Sequence, residues 1–248
     1  MNELSKSHLK ELCKLKQKKF RETTGKVIIE GTRLIDQLLQ SKIILEEIYT
    51  SNADKLENSD YSSSKIFHAE EFQLEKLCST KHPQDIAALI EAKTNPIKDK
   101  KFLLYLDGIG EPGNLGTIIR TAVAAGISGI ILSPDCCEVF NPKVIRASLG
   151  TVFFLPMEIH DENWLKMQDA KIIVTTLNKS LSLFDLKRPE GNIILVLGSE
   201  AEGVRKEIIE LADFKVKIPI SKNIESMNVA VAAGIAMYHL MLTDEHGK

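Results

Sequence analysis

No run in this 248-residue chain approaches the ~20 consecutive apolar residues that cross a bilayer, so a membrane-spanning protein is not expected. Cysteine is scarce and scattered. Cys13, Cys78, Cys136 and Cys137 form no CxxC pair and no Cys/His ligand spacing, which argues against a disulfide framework and against a metal site, and the thiols read as reduced. The opening MNELSKSHLKELCK lacks the uninterrupted apolar segment of a secretory signal, and its acidic residues do not suit an organelle transit peptide. A soluble cytoplasmic protein is the expectation. An excess of one charge is missing too. The 32 Lys and Arg nearly balance the 34 Asp and Glu, and the formal charge of -2 gives no global attraction to phosphate or anionic lipid.

Any nucleic-acid site must therefore be local. Residues 1–26 hold eight basic side chains (Lys6, Lys10, Lys14, Lys16, Lys18, Lys19, Arg21, Lys26) against Glu3, Glu11 and Glu22, a local excess of five. On its own such a run reads first as the solvated face of an amphipathic helix. Leu9, Leu12, Leu15 and Phe20 predict that helix over residues 7–20, and Gly25 ends it before a short strand at Val27-Ile28-Ile29. A helix over 31–40, strands around Ile48 and KIFHAE, a helix in EEFQLEKLCS and a strand in IAALIE follow; the polar stretch Asn52–Ser64 reads as a surface loop or short helix.

KTNPIKDKK, residues 93–101, is charged, aperiodic and interrupted by Pro96, which places a domain boundary there and predicts domains 1–96 and 97–248. Beyond it, apolar runs at 102–107, 129–132, 172–177, 193–197 and 214–218 alternate with helical segments at 117–125, 142–149, 204–212 and 226–242. That alternation, with unbroken apolar strands, predicts an α/β fold with a parallel sheet covered on both faces.

In such sheets ligands bind beyond the carboxyl ends of the strands, so the loops after Leu106, Leu197 and Ile218 are the places to search. The first reads DGIGEPGNLGTIIRTA. It matches GxGxxG only in its opening residues, and Pro112 removes an amide that could meet a phosphate, so nothing convincing for a dinucleotide is present. The second, LGSEAEGV, sets Glu200 and Glu202 between Gly198 and Gly203 at the approach to a helix, where acids also serve as plain caps. The third, IPISKNIESMNVAVAAG, leads into a helix for which Ser226 is a natural N-cap, and the small face of Ala230, Ala232, Ala233 and Gly234 implies a closely packed neighbour.

In that order the three loops resemble the signature of the SpoU/TrmH RNA 2′-O-ribose methyltransferases. Pro112, Asn114, Gly116 and Arg120 match the first motif; Gly198, Ser199, Glu200 and Gly203 the second; Ile218, Pro219, Glu225, Ser226, Met227, Asn228 and Val229 the third. Met227 stands where Leu is commoner, Glu111 where Asp is often found, and RASLGTVFFLP (146–156) is similar to the family's Ser-x-Gly segment. The resemblance covers residues 101–248. Ahead of it, KLKQKKFRETTGKVIIEGTRLIDQLL resembles the L30e-like substrate-binding domain that accompanies some members.

Several expectations follow from this resemblance alone. The second domain would carry the deep trefoil knot of the SPOUT fold. S-adenosylmethionine would bind in the knotted region against Gly198, Gly203, Ile218, Met227 and Thr176, with no metal. Arg120 would stand by the ribose hydroxyl, Asn114 would orient Arg120 or the ribose, Glu200 would hold the cluster, and Ser226 and Asn228 would line it. Since a guanidinium is essentially never deprotonated, Arg120 suits charge stabilisation better than base catalysis. RNA, ribosomal more than transfer RNA given the extra domain, would contact Lys14, Lys16, Lys18, Lys19, Arg21 and Arg33. The last helix would form a homodimer interface. A non-catalytic RNA-binding or assembly protein on the same fold stays open, although the presence of Asn114, Arg120, Glu200, Ser226 and Asn228 together favours an enzyme.

Overall fold

A computed structural model describes residues 1–248 apart from 53–55, 57–60, 62–63, 81, 178–179 and 246–248. In chain order the elements are β1 (Asn2–Glu3), α1 (Lys6–Lys14), α2 (Lys18–Thr24), β2 (Lys26–Glu30), α3 (Thr32–Gln40), β3 (Glu47–Thr50), β4 (Lys65–His68), α4 (Glu71–Leu77) and β5 (Ile86–Glu91). Then come β6 (Phe102–Asp107), α5 (Pro112–Ala124), β7 (Gly129–Leu132), α6 (Pro142–Ala147), β8 (Met157–Ile159), α7 (Asn163–Lys166) and β9 (Lys171–Thr175). The chain finishes with β10 (Leu181–Ser182), β11 (Ile193–Gly198), α8 (Lys206–Ile209), β12 (Phe214–Lys217) and α9 (Val229–Glu245). Much of the polar stretch 52–64 lies outside the described residues.

Two compact units result: Met1–Lys93 with Glu138–Phe154, and Thr94–Cys137 with Leu155–Lys248. The first is built on a mixed sheet of order β1-β4-β3-β5-β2, in which β5 runs antiparallel to both β2 and β3. The apolar spacing that predicted one helix over 7–20 serves two, because Gln17 is extended and separates α1 from α2. Leu9, Leu12 and Leu15 nevertheless reach one core with Tyr49, Leu74, Leu77 and Leu89.

The segment 138–154, expected with the second domain, belongs to this first unit, and particular contacts hold it there. Arg21 is 4% exposed; its Nε donates to Glu138 at 2.7 Å, Nη2 donates to the other carboxylate oxygen, and Nη1 donates to the carbonyls of Leu15 and Lys16. Arg146 donates to Glu30 at 3.0 Å. Gly150 has φ +77°, and a Cβ there would lie 2.5 Å from the Leu34 side chain on α3. The glycine of the Ser-x-Gly segment is thus explained by a close approach to α3.

The second unit is an all-parallel sheet of order β10-β12-β9-β11-β6-β7-β8. Every residue of β6 and β11 is buried, the burial expected of central parallel strands with both faces covered. From β6 the chain moves outward through β7 and β8, then crosses to β9 and returns with β11 to fill the gap beside β6. The sense of winding reverses there, and in open α/β sheets such a point marks a ligand crevice. The α9 helix packs on α5 and β11, and a Cβ on Gly234 would sit 3.5 Å from Thr121, so α5 is the close neighbour that the small residues anticipated.

Candidate active site

At the carboxyl ends of β6, β11 and β12 the three motif loops meet. The first becomes α5 almost at once. Glu111 caps it by accepting from the Gly113 N–H, and Pro112 occupies the first turn, where its missing N–H costs nothing. Asn114 therefore stands in the opening turn of α5, half-buried, rather than in a loop ahead of a helix beginning at Thr117.

The second loop folds back sharply. Gly203 has φ +71° and donates its N–H to the Ser199 carbonyl at 2.9 Å. A Cβ on Gly198 would lie 2.1 Å from the Gly203 carbonyl carbon and 2.2 Å from the Val204 nitrogen. Glycine is required at 198 so that the loop can return over its own start. The third loop ends at Asn228, which caps α9: its Oδ1 accepts from Ala230 N at 3.0 Å and from Val231 N at 3.2 Å. The cap expected at Ser226 falls two residues later. Ser226 itself is exposed, ahead of the helix.

Three side chains from the three motifs form one hydrogen-bonded cluster. Glu200 Oε1 accepts from Asn114 Nδ2 at 2.9 Å, from Asn228 Nδ2 at 2.8 Å and from the Val229 N–H at 3.2 Å. Asn228 Nδ2 also donates to Asn114 Oδ1 at 2.9 Å. The carboxylate sits where the positive end of the α9 dipole favours it. Of the two roles expected of Asn114, the one toward Arg120 has no hydrogen bond among the described residues, since its amide meets Glu200 and Asn228. Arg120 lies on the exposed side of α5, six residues or roughly 9 Å along the axis from Asn114, and has no ion pair or hydrogen bond among the described residues.

The positions expected to hold the cofactor lie around the same strand ends. Gly198 closes β11, Thr176 follows β9 and donates its N–H to Val216 O on β12 at 2.9 Å, and Ile218 follows β12. Ile218 and Met227 are half-buried, and Leu177 and Ile224 nearby in sequence are 59% and 53% exposed. Uncovered apolar side chains beside strand-end backbone suit the faces and edges of an adenosine, so the residues present fit S-adenosylmethionine. Among the described residues no group of His, Cys, Asp and Glu could hold a metal ion.

One feature of the crevice was not read from the sequence. Asp107, the last residue of β6, is 2% exposed and accepts from the backbone N–H and the Nε of Arg205, both at 2.8 Å. This hydrogen bonding holds the Arg205 guanidinium above its usual pKa. The available signal was an acid closing the apolar run FLLYLD, a buried charge that demands a partner.

In the first unit the cations expected to meet RNA divide sharply. Arg21 is withdrawn into the Glu138 pair and is 4% exposed. Lys14 is bonded to Glu11 at 2.7 Å, and Lys18 is 3.6 Å from Glu22. Lys16, Lys19 and Arg33 are exposed with no ion pair among the described residues. Arg33 lines a cleft of about 960 Å³ with Asp36, Gln37, Gln40 and Gln84.

A parallel α/β sheet whose switch-point loops gather an Asn–Glu–Asn cluster beside uncovered apolar side chains suits a nucleoside-binding enzyme. Residues 101–238 match the SpoU rRNA Methylase family, and residues 6–88 match the MRM3-like substrate binding domain. The chain belongs to the SpoU rRNA methylase family, the S-adenosylmethionine-dependent RNA methyltransferases. It is 31% identical over 238 residues to the 23S rRNA (guanosine(2553)-2'-O)-methyltransferase RlmP of Bacillus subtilis, spanning 94% of this chain and 95% of that protein. It superposes on the AdoMet-bound rRNA methyltransferase of Sinorhizobium meliloti with a TM-score of 0.86, at 25% identity and covering 99% and 97% of the two chains. A structure described as an RNA 2'-O ribose methyltransferase superposes with a TM-score of 0.81, at 26% identity over 99% and 100%.

Proposed function

We propose that this protein transfers the methyl group of S-adenosylmethionine to a ribose 2′-hydroxyl of ribosomal RNA in the cytoplasm, acting as a homodimer. The observation that carries the reading is the cluster of Asn114, Glu200 and Asn228, in which three separate sequence motifs converge on one carboxylate. The sulfonium supplies an already activated methyl group. What remains for the chain is to hold the hydroxyl in line and to stabilise negative charge growing on its oxygen.

Arg120 serves the second need. Its guanidinium is exposed and spent on no carboxylate, so it is available to the incipient alkoxide or to the adjoining phosphate. Asn114, Glu200 and Asn228 fix the relative positions of α5, the 199–204 loop and the start of α9, and Ser226 lines the approach. Gly198, Gly203, Ile218, Met227 and Thr176 form the adenosine pocket. A substrate-binding domain ahead of the catalytic one and a relative named for 23S rRNA favour a ribosomal target, with Lys16, Lys19 and Arg33 as the available RNA contacts. Val231, Tyr238 and Leu242 are 52%, 39% and 47% exposed at i, i+7 and i+11 on α9, an apolar stripe suited to a second copy of the chain.

Mapping 2′-O-methyl positions in rRNA from cells with and without the gene tests the reading. A methylated nucleotide that disappears on deletion and returns with the wild-type gene, but not with Arg120→Ala, is the expected result. Identical maps, with RNA binding intact, would make the protein a non-catalytic RNA binder.

A further inference from the structure

Glu200 is held from the front by Asn114 and Asn228, but its loop also has a rear anchorage. In the β6–β11 register Asp107 and Gly198 are direct partners, so the loop leaves the sheet beside Asp107. Seven residues after Gly198 it ends on the same carboxylate, where the Arg205 backbone N–H reaches Oδ2 and its Nε reaches Oδ1. Nη2 stands 2.8 Å from Oδ1 too, off the line of a hydrogen bond. Both ends of the loop are thus referred to one position on β6, and Gly198 leaves no room between them. Arg205 also faces Asp135 at 3.7 Å after β7 and Glu162 at 3.6 Å before α7, acids that set its fork at the carboxyl edge of the sheet.

We infer that Asp107 and Arg205 are a positioning pair for methyl transfer, fixing the 199–204 loop so that Glu200 meets Asn114 and Asn228. Neither side chain needs to touch the reacting atoms. A backbone N–H and a side-chain N–H from one residue on one buried carboxylate define a direction as well as a distance, which a single hydrogen bond would not. The inference rests on the proposed methyl transfer, and the experiment separates the two.

Removing one partner alone leaves a buried charge unmatched and can weaken the fold, whereas removing both avoids that penalty. The set is therefore Arg205→Ala, Arg205→Lys and the double variant Asp107→Asn/Arg205→Leu, assayed on in vitro transcribed 23S rRNA at a temperature where circular dichroism shows each folded. Displacement of Glu200 by about 1 Å predicts a kcat roughly a hundredfold lower for Arg205→Ala and for the double variant. The KM for RNA should stay near wild type, and the Kd for S-adenosylmethionine by calorimetry should rise. Arg205→Lys keeps the charge but loses the planar fork, and its kcat should fall between wild type and Arg205→Ala. Wild-type kcat in the folded double variant overturns the inference, as does a loss in Arg205→Ala that tracks only its unfolded fraction. If the double variant does not fold, Arg205→Lys decides, and wild-type kcat there overturns the pair's role. Absence of methyl transfer in the wild-type protein would sink the proposed reaction instead.

Discussion

The two units use arginine in opposite ways. In the first, Arg21 is buried, forked onto Glu138 and bonded to two carbonyls, so it anchors the 138–154 segment within its own unit. In the second, Arg120 is exposed on α5 and spent on nothing among the described residues. Both stand in stretches that resemble functional motifs, and both carry the same charge. What separates them is whether a carboxylate already claims the guanidinium. A cation committed to structure cannot also serve a substrate, and composition does not reveal which cations are committed.

The largest effect should come from breaking the committed one. Arg21→Ala leaves Glu138 with its charge and without its partner, and removing one member of a buried pair costs about 3–5 kcal/mol. Urea unfolding of the first unit should shift by that amount. An unchanged unfolding curve, with weakened RNA binding instead, would reverse the assignment and restore Arg21 to the RNA surface.

Next in size is the free one. Arg120→Ala should keep the Kd for S-adenosylmethionine and the unfolding midpoint while lowering single-turnover methyl transfer by roughly 10²–10³-fold, the loss typical of one charge-stabilising donor. Turnover at the wild-type rate would remove Arg120 from the mechanism. Asn228→Ala is predicted to show a mixture of both behaviours. Removing the α9 cap costs about 1 kcal/mol, seen as a lower melting temperature, and removing the bond to Glu200 lowers kcat as well. A change in melting temperature alone would make Asn228 a cap and nothing more.

Where the sequence could be read and where it could not follows the same division. Unbroken apolar runs placed β6, β9 and β11 because a strand covered on both faces has no polar alternation to confuse. The three motifs were visible because each requires particular residues at fixed spacing. Errors cluster where a side chain from elsewhere decides the backbone. The α5 helix starts at Pro112 rather than Thr117, since the Glu111 cap and close packing outweigh the helix cost of Gly113 and Gly116, about 1 kcal/mol each. The helix read over 204–212 is reduced to Lys206–Ile209, because Asp107 holds the Arg205 N–H and keeps that residue extended. The Ser226 cap gave way to Asn228, whose amide reaches both Glu200 and the first turn of α9. Segment 138–154 falls within the family match of the second domain, while the side chains it packs on, Arg21, Glu30 and Leu34, lie more than a hundred residues earlier. The contacts of Arg205 and of segment 138–154 leave no local signature, whereas Pro112 in the first turn of α5 and Asn228 at the start of α9 do.

The smallest predicted effect addresses the cations between the two extremes. Lys16 and Lys19 are exposed and unpaired among the described residues, whereas Lys14 and Lys18 face Glu11 and Glu22 on the same short helices. Surface pairs of that kind contribute only ~0–1 kcal/mol to stability, so none of the four should alter unfolding noticeably. Their RNA contributions differ in a way that salt resolves. A cation that no longer neutralises its phosphate reduces the slope of log K against log salt by about 0.7 for a single-stranded segment. Lys16→Ala and Lys19→Ala should each flatten the slope by that amount, with Lys14→Ala flattening it less because Glu11 already offsets its charge. Wild-type slopes for all three variants would mean that the α1–α2 face is solvated, leaving RNA recognition in the first unit to Arg33 and the polar cleft along α3.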